Sequence, residues 1–133
     1  MSKPIMQQFS GDFEKTVSIM QKLIRNGAID PKARTEAVGI IRDLDARNFD
    51  LCAEAIYNRL CDKIKYVRDP AHAEYVCDWF NVARLGFGDC DDFTVLGATM
   101  LMAIGITCQI KVTAYQTHNG KPIYSHVYLE YYS

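Results

Sequence analysis

No stretch of 18 apolar residues occurs in this 133-residue chain, so no membrane-spanning helix is expected. The opening segment, Met1 to Ser10, lacks the apolar core of a signal peptide. No C-x-x-C pair is present, and the five cysteines (Cys52, Cys61, Cys77, Cys90, Cys108) are odd in number and widely spaced. That argues against a disulfide framework and for a reducing compartment, with four of the five read as small hydrophobes. Charge of one sign is nowhere concentrated. Fifteen basic residues face sixteen acidic ones, for a formal net charge of −1, and nothing there favours a nucleic-acid or anionic-membrane partner. Repeats and low-complexity tracts are absent as well. A cytoplasmic location fits these absences.

What is present fits one domain with one core. Apolar residues make up 49% of the chain and charged residues 23%, which excludes disorder. From Phe13 to Arg25 apolar residues recur at helical spacing, and Asn26-Gly27 is expected to stop the run. Asp30-Pro31 reads as an N-cap with proline in the first turn of a second helix. A third helix is expected from about Phe49 to Ile64. Pro70 breaks the pattern, and a short helix is expected from about His72 to Leu85. A fifth begins at Cys90 and ends at Gly105. After Gly105 the period changes to two: Ile106, Cys108, Ile110 and Val112 alternate with polar residues, and Ile123 to Tyr132 forms a second strand across a turn at 118–121. The expected class is α+β: a helical N-terminal part, then a helix opened by a cysteine, packed on a small antiparallel sheet.

The chemistry concentrates in Gly88-Asp89-Cys90-Asp91-Asp92 and in Ser125-His126-Val127. A cysteine opening a helix sits where unpaired backbone N–H groups and the helix dipole favour its thiolate. The N–H of Cys90 itself can help bind an oxyanion. Lowering a thiol pKa from the usual ~8.5 to ~6 is worth roughly 3.4 kcal/mol. A helix end supplies at most ~2 of that, so a nearby imidazolium must supply the rest. His126, on a strand face with Tyr124 and Tyr128, is the candidate base. Asp91 and Asp92 fit a first-turn capping role and are expected to point away from the sulfur. His72 and His118 read as solvated surface groups. Zinc sites prefer paired Cys or His at short spacing, so no metal or other cofactor is expected.

Gly88-Asp89-Cys90-Asp91-Asp92-Phe93, the following helix to Gly105-Ile106, and Ser125-His126-Val127-Tyr128 together resemble the transglutaminase-like superfamily of papain-like folds. Tyr66-Val67-Arg68-Asp69-Pro70 and Glu74-Tyr75-Val76 add a likeness to bacterial and phage members. The resemblance covers about 46–133 and leaves 1–45 as a helical extension. It implies Cys90 as nucleophile, His126 as general base, and a peptide or protein amide as substrate. The reaction would be acyl transfer or hydrolysis, of protease, deamidase or transglutaminase type. In that family an Asp or Asn on the next strand orients the histidine, and no such strand follows His126 here; the expectation is a C-terminally truncated core. Where family members often place Gln and Pro, this chain has Cys77-Asp78-Trp79, and the Trp79 indole is a candidate oxyanion donor or site wall. The alternative reading is an inactive transglutaminase-like structural or interaction domain, of phage origin.

Overall fold

The computed structural model describes residues 7–9, 13–67, 74–118 and 121–132. In chain order the elements are β1 (Gln7–Phe9), α1 (Phe13–Ala28), α2 (Pro31–Ile40), α3 (Phe49–Lys63), β2 (Lys65–Tyr66), β3 (Glu74–Val76), α4 (Trp79–Leu85), β4 (Phe87–Gly88), α5 (Cys90–Ala103), β5 (Cys108–His118) and β6 (Lys121–Tyr131). The class is α+β. Helix α5 is the hub, with α1, α2, α3 and α4 packed around it and the β5–β6 hairpin laid along its remaining side.

The composition of α5 explains that position. Eleven of its residues are buried, including Val95, Leu96, Met100 and Leu101, and a helix apolar on nearly every side needs neighbours all round. Gly97 makes the hairpin's approach possible: a Cβ there would stand 2.9 Å from Leu129 Cδ2. Two clusters result. One joins Ala37, Ile56, Ile64, Trp79 and Leu96 beneath α2, α3 and α4. The other joins Met20, Leu23, Val95 and Val127 between α1, α5 and the hairpin.

Two expectations are corrected here. Asn26-Gly27 does not stop the first helix, which runs through to Ala28. Gly27 serves as a contact point instead, since a Cβ there would lie 2.7 Å from Trp79 Cδ1 and 2.8 Å from Thr99 Cγ2. The expected helix from His72 to Leu85 is a strand followed by a helix. Glu74–Val76 pairs antiparallel with Gln7–Phe9, and the helix starts only at Trp79. Asp78 sets that start, its side chain accepting from the Asn81 N–H at 2.9 Å; His72 lies outside the described residues. The N-cap at Asp30 is as expected, with the Lys32 N–H bonded to its carboxylate at 2.9 Å.

The hairpin pairs Cys108 with Tyr131 and Thr113 with His126, with irregularities around Ala114. The other small pairing is parallel, Lys65–Tyr66 with Phe87–Gly88. It brings the end of α3 beside the turn into α5.

Candidate active site

Cys90 is the first residue of α5, and the turn before it is tightly tied. Asp89 is the N-cap, its Oδ1 accepting from the Asp91 N–H at 3.1 Å. Asp92 reaches back, its Oδ2 accepting from the Asp89 N–H at 3.2 Å, which completes a capping box. The other oxygen of Asp92 accepts from the Cys77 N–H at 3.2 Å. Gly88 is required for this return, because a Cβ there would meet Asp92 Cβ at 2.6 Å. Asp92 therefore points away from the sulfur, as expected of a capping carboxylate.

Asp91 does not. Its Oδ1 lies 3.8 Å from Cys90 Sγ, within range of a thiol hydrogen bond. That corrects the expectation that both aspartates turn aside. Burial pushes the Cys90 thiol up to about 11, with the Asp91 and Asp89 carboxylates adding to the rise. Backbone interactions with Val127 and Asp91 oppose it in part. The helix-start arrangement is present, but burial and two carboxylates outweigh it. The resting thiol is neutral and donates to Asp91.

Strand β6 runs beside this helix start. Val127 is 2% exposed, while its neighbours His126 and Tyr128 are exposed. This is the strand period read from the sequence: Val127 faces the core and His126 faces out with Tyr128. The His126 ring stacks on Tyr128, centroids 5.9 Å apart and planes 18° off parallel. Among the described residues no carboxylate hydrogen-bonds His126.

Cys90 and His126 line one cavity of about 680 Å³. Helix α3 forms its opposite wall with Tyr57 and Leu60, and α5 forms its floor with Phe93, Thr94 and Gly97. Tyr66 stacks on Phe93 near the sulfur, at 6.2 Å between centroids. At the far end Tyr131 donates to Asp50 Oδ1 at 2.8 Å. The floor and walls are mainly apolar, with the Cys90 thiol and the His126 imidazole both on the lining, a common form for a small ligand or peptide site.

Trp79 is not part of this cavity. It is 5% exposed, meets Phe80 edge to face at 5.7 Å and lines a separate cavity. No group of three or more metal-ligating side chains occurs among the described residues. Nor is any described helix long and apolar enough to cross a membrane. The sequence reading missed the thiol–Asp91 contact and the wall supplied by α3. The stacking of His126 on Tyr128 had a signal, since the two share a strand face.

A family model for the transglutaminase-like superfamily matches residues 38–133. No curated protein matches the chain. Among solved structures, a candidate cysteine protease from Cytophaga hutchinsonii is similar in fold, with a TM-score of 0.59 at 19% identity. The alignment covers 76% of this chain and 33% of that one, so the chain spans about a third of that protein's length.

Proposed function

The chain belongs to the transglutaminase-like superfamily, and from that premise we propose that it is a cysteine-dependent enzyme acting on amide carbonyls. The observation that carries this reading is the shared cavity of Cys90 and His126. In the proposed reaction His126 takes the thiol proton as sulfur attacks the carbonyl carbon. Negative charge develops on the carbonyl oxygen, and the Cys90 N–H at the helix start is available to it. Collapse breaks the C–N bond, and His126 returns the proton to the departing amine or ammonia. The thioester then passes its acyl group to water or to a second amine, regenerating the thiol.

Two readouts test this. The wild-type protein, Cys90→Ala and His126→Ala are incubated with a library of glutamine-containing peptides. Ammonia release and peptide cleavage are followed, and a peptidyl vinyl sulfone is used to trap the thiol. The expected result is turnover abolished by Cys90→Ala, with an adduct at Cys90 that forms slowly in His126→Ala. Neither product nor adduct in the wild type would overturn the proposal.

A second reading is favoured by one observation, the neutral thiol held at about 11. It describes a domain that keeps the fold and binds without turnover. The same peptides would then bind without ammonia release or cleavage.

A further inference from the structure

The second cavity, of about 750 Å³, lies beside α3 away from Cys90, with Leu60 standing between the two. Its interior is apolar and aromatic. Ile64, Trp79, Leu96 and Met100 are buried there, and Phe80 is half-buried. Its rim has the opposite character. Lys32 on α2, Arg59 and Lys63 on α3, and Arg84 on α4 all line it and are all exposed, against Glu36 as the one carboxylate among the described residues. Three helices thus each direct a cation to one groove. The rim carries a surplus of three positive charges in a chain whose formal net charge is −1, so composition does not account for the clustering. Among the described residues the Cys90 cavity has the reverse balance, with Asp50 and Glu54 on its lining and no lysine or arginine.

Two of the rim cations have fixed neighbours. Lys32 Nζ sits 5.9 Å above the Phe80 ring, and Arg84 Nη2 donates to Asn81 Oδ1 at 3.0 Å. Arg59 and Lys63 lie one turn apart on α3, and no carboxylate pairs with either among the described residues. An occupant with apolar side chains and carboxylates in alternation would cover the floor while neutralising the rim. A fully apolar occupant would leave the cations uncompensated, and a basic one would be repelled.

We propose that this groove binds an acidic, apolar peptide segment of a partner protein, at a site separate from the Cys90–His126 cavity. Trp79 makes occupancy directly observable, because it is the chain's single tryptophan and lies in the groove floor.

The test uses the Cys90→Ala protein and a tryptophan-free peptide of alternating leucine and glutamate, with its leucine–lysine counterpart as control. Binding is read from Trp79 emission and from anisotropy of labelled peptide. The acidic peptide is expected to bind and change the Trp79 emission, with affinity falling as salt rises from 50 to 300 mM. The double variant Arg59→Glu/Lys63→Glu is expected to weaken it at least tenfold. Both side chains are exposed, so the fold should survive, and Lys63→Gln alone serves if the double variant melts early. Equal binding of acidic and basic peptides, affinity unchanged by these substitutions, or no change at Trp79 would each overturn the proposal. So would preferential binding to phosphatidylglycerol vesicles over the acidic peptide.

Discussion

Replacing Asp91 by asparagine should speed alkylation of Cys90. The resting thiol is held at about 11 by burial and by the Asp91 and Asp89 carboxylates, with Asp91 Oδ1 at 3.8 Å. At pH 8 a thiol at about 11 is ionised in roughly one molecule per thousand, against about a quarter for an ordinary thiol at ~8.5. Iodoacetamide reacts with the thiolate, so wild-type Cys90 should react a few hundredfold more slowly than an unperturbed cysteine, and its rate should still be rising at pH 10. Removing one full charge near 4 Å, between a buried carboxylate and a half-buried sulfur, should raise the rate at least roughly tenfold at fixed pH. Asparagine keeps the size of the side chain and its capacity to accept. The assay is mass spectrometry of the Cys90 peptide after timed alkylation from pH 6 to 10.5, which separates Cys90 from the other four thiols. A wild-type profile that is flat between pH 6 and 8 would refute this account of the site, because it would mean the ion pair with His126 exists before substrate arrives. An unchanged profile in Asp91→Asn would refute the role given to that carboxylate.

Further outcomes follow from the same geometry. Tyr128→Leu removes the ring on which His126 stacks and should lower kcat about 2- to 10-fold with KM little changed, whereas Tyr128→Phe should retain the wild-type rate; steady-state kinetics on any peptide that turns over decides. Gly27→Ala must push a methyl into Trp79 and Thr99, and overpacking of ~1–3 kcal/mol should exceed the gain of up to ~1 from adding alanine to a helix, lowering the urea midpoint. Gly88→Ala should displace the Asp92 side chain, loosening the capping box by about 1 kcal/mol and reducing activity more than stability. Burial pushes Cys77 up to about 12 and Cys108 to about 11. With Cys90 at about 11, these thiols keep their protons in the fold while the unfolded chain loses them first, so Tm should fall as pH rises from about 9 to 11, and Cys108→Ala should reduce the slope.

Where a local signal and tertiary packing agree, the elements could be read from the chain alone. Asp30-Pro31 starts α2 because capping and the fixed proline φ are properties of those two residues. The change of period at Gly105 marks the hairpin because alternation needs no partner to be visible. Gly27 is the contrary case. By local rules a glycine after asparagine ends a helix, but here it continues one because α1 must approach Trp79 and Thr99 closely. Only the packed neighbours carry that information. Glu74–Val76 is similar. Three residues hold too little periodicity to signal a strand, and the pairing that makes them one comes from Gln7–Phe9, 67 positions earlier.

The site divides along the same line, and the division bears on mechanism. That Cys90 opens a helix and that His126 faces outward beside a buried valine are both period arguments, available without coordinates. The sign of the electrostatics at the sulfur is not, because three carboxylates, Asp89, Asp91 and Asp92, flank Cys90 and their directions decide it. Asp92 and Asp89 form the capping box, while Asp91 Oδ1 lies 3.8 Å from the sulfur. A neutral thiol donating to Asp91 is a poor nucleophile at rest. In the reaction proposed above, the proton would have to leave that hydrogen bond for His126 as the carbonyl comes into place. The substrate, by displacing water from the apolar cavity, would raise the cost of any bare charge and so favour the transfer being concerted with attack. Activity would then rise with the basicity of the residue at position 126, and alkylation of the free enzyme would not report it. A His126→Gln protein that alkylates like the wild type yet turns over no peptide would show that separation directly. Parallel loss of both would place the ion pair in the resting enzyme and remove Asp91 from the proton's path.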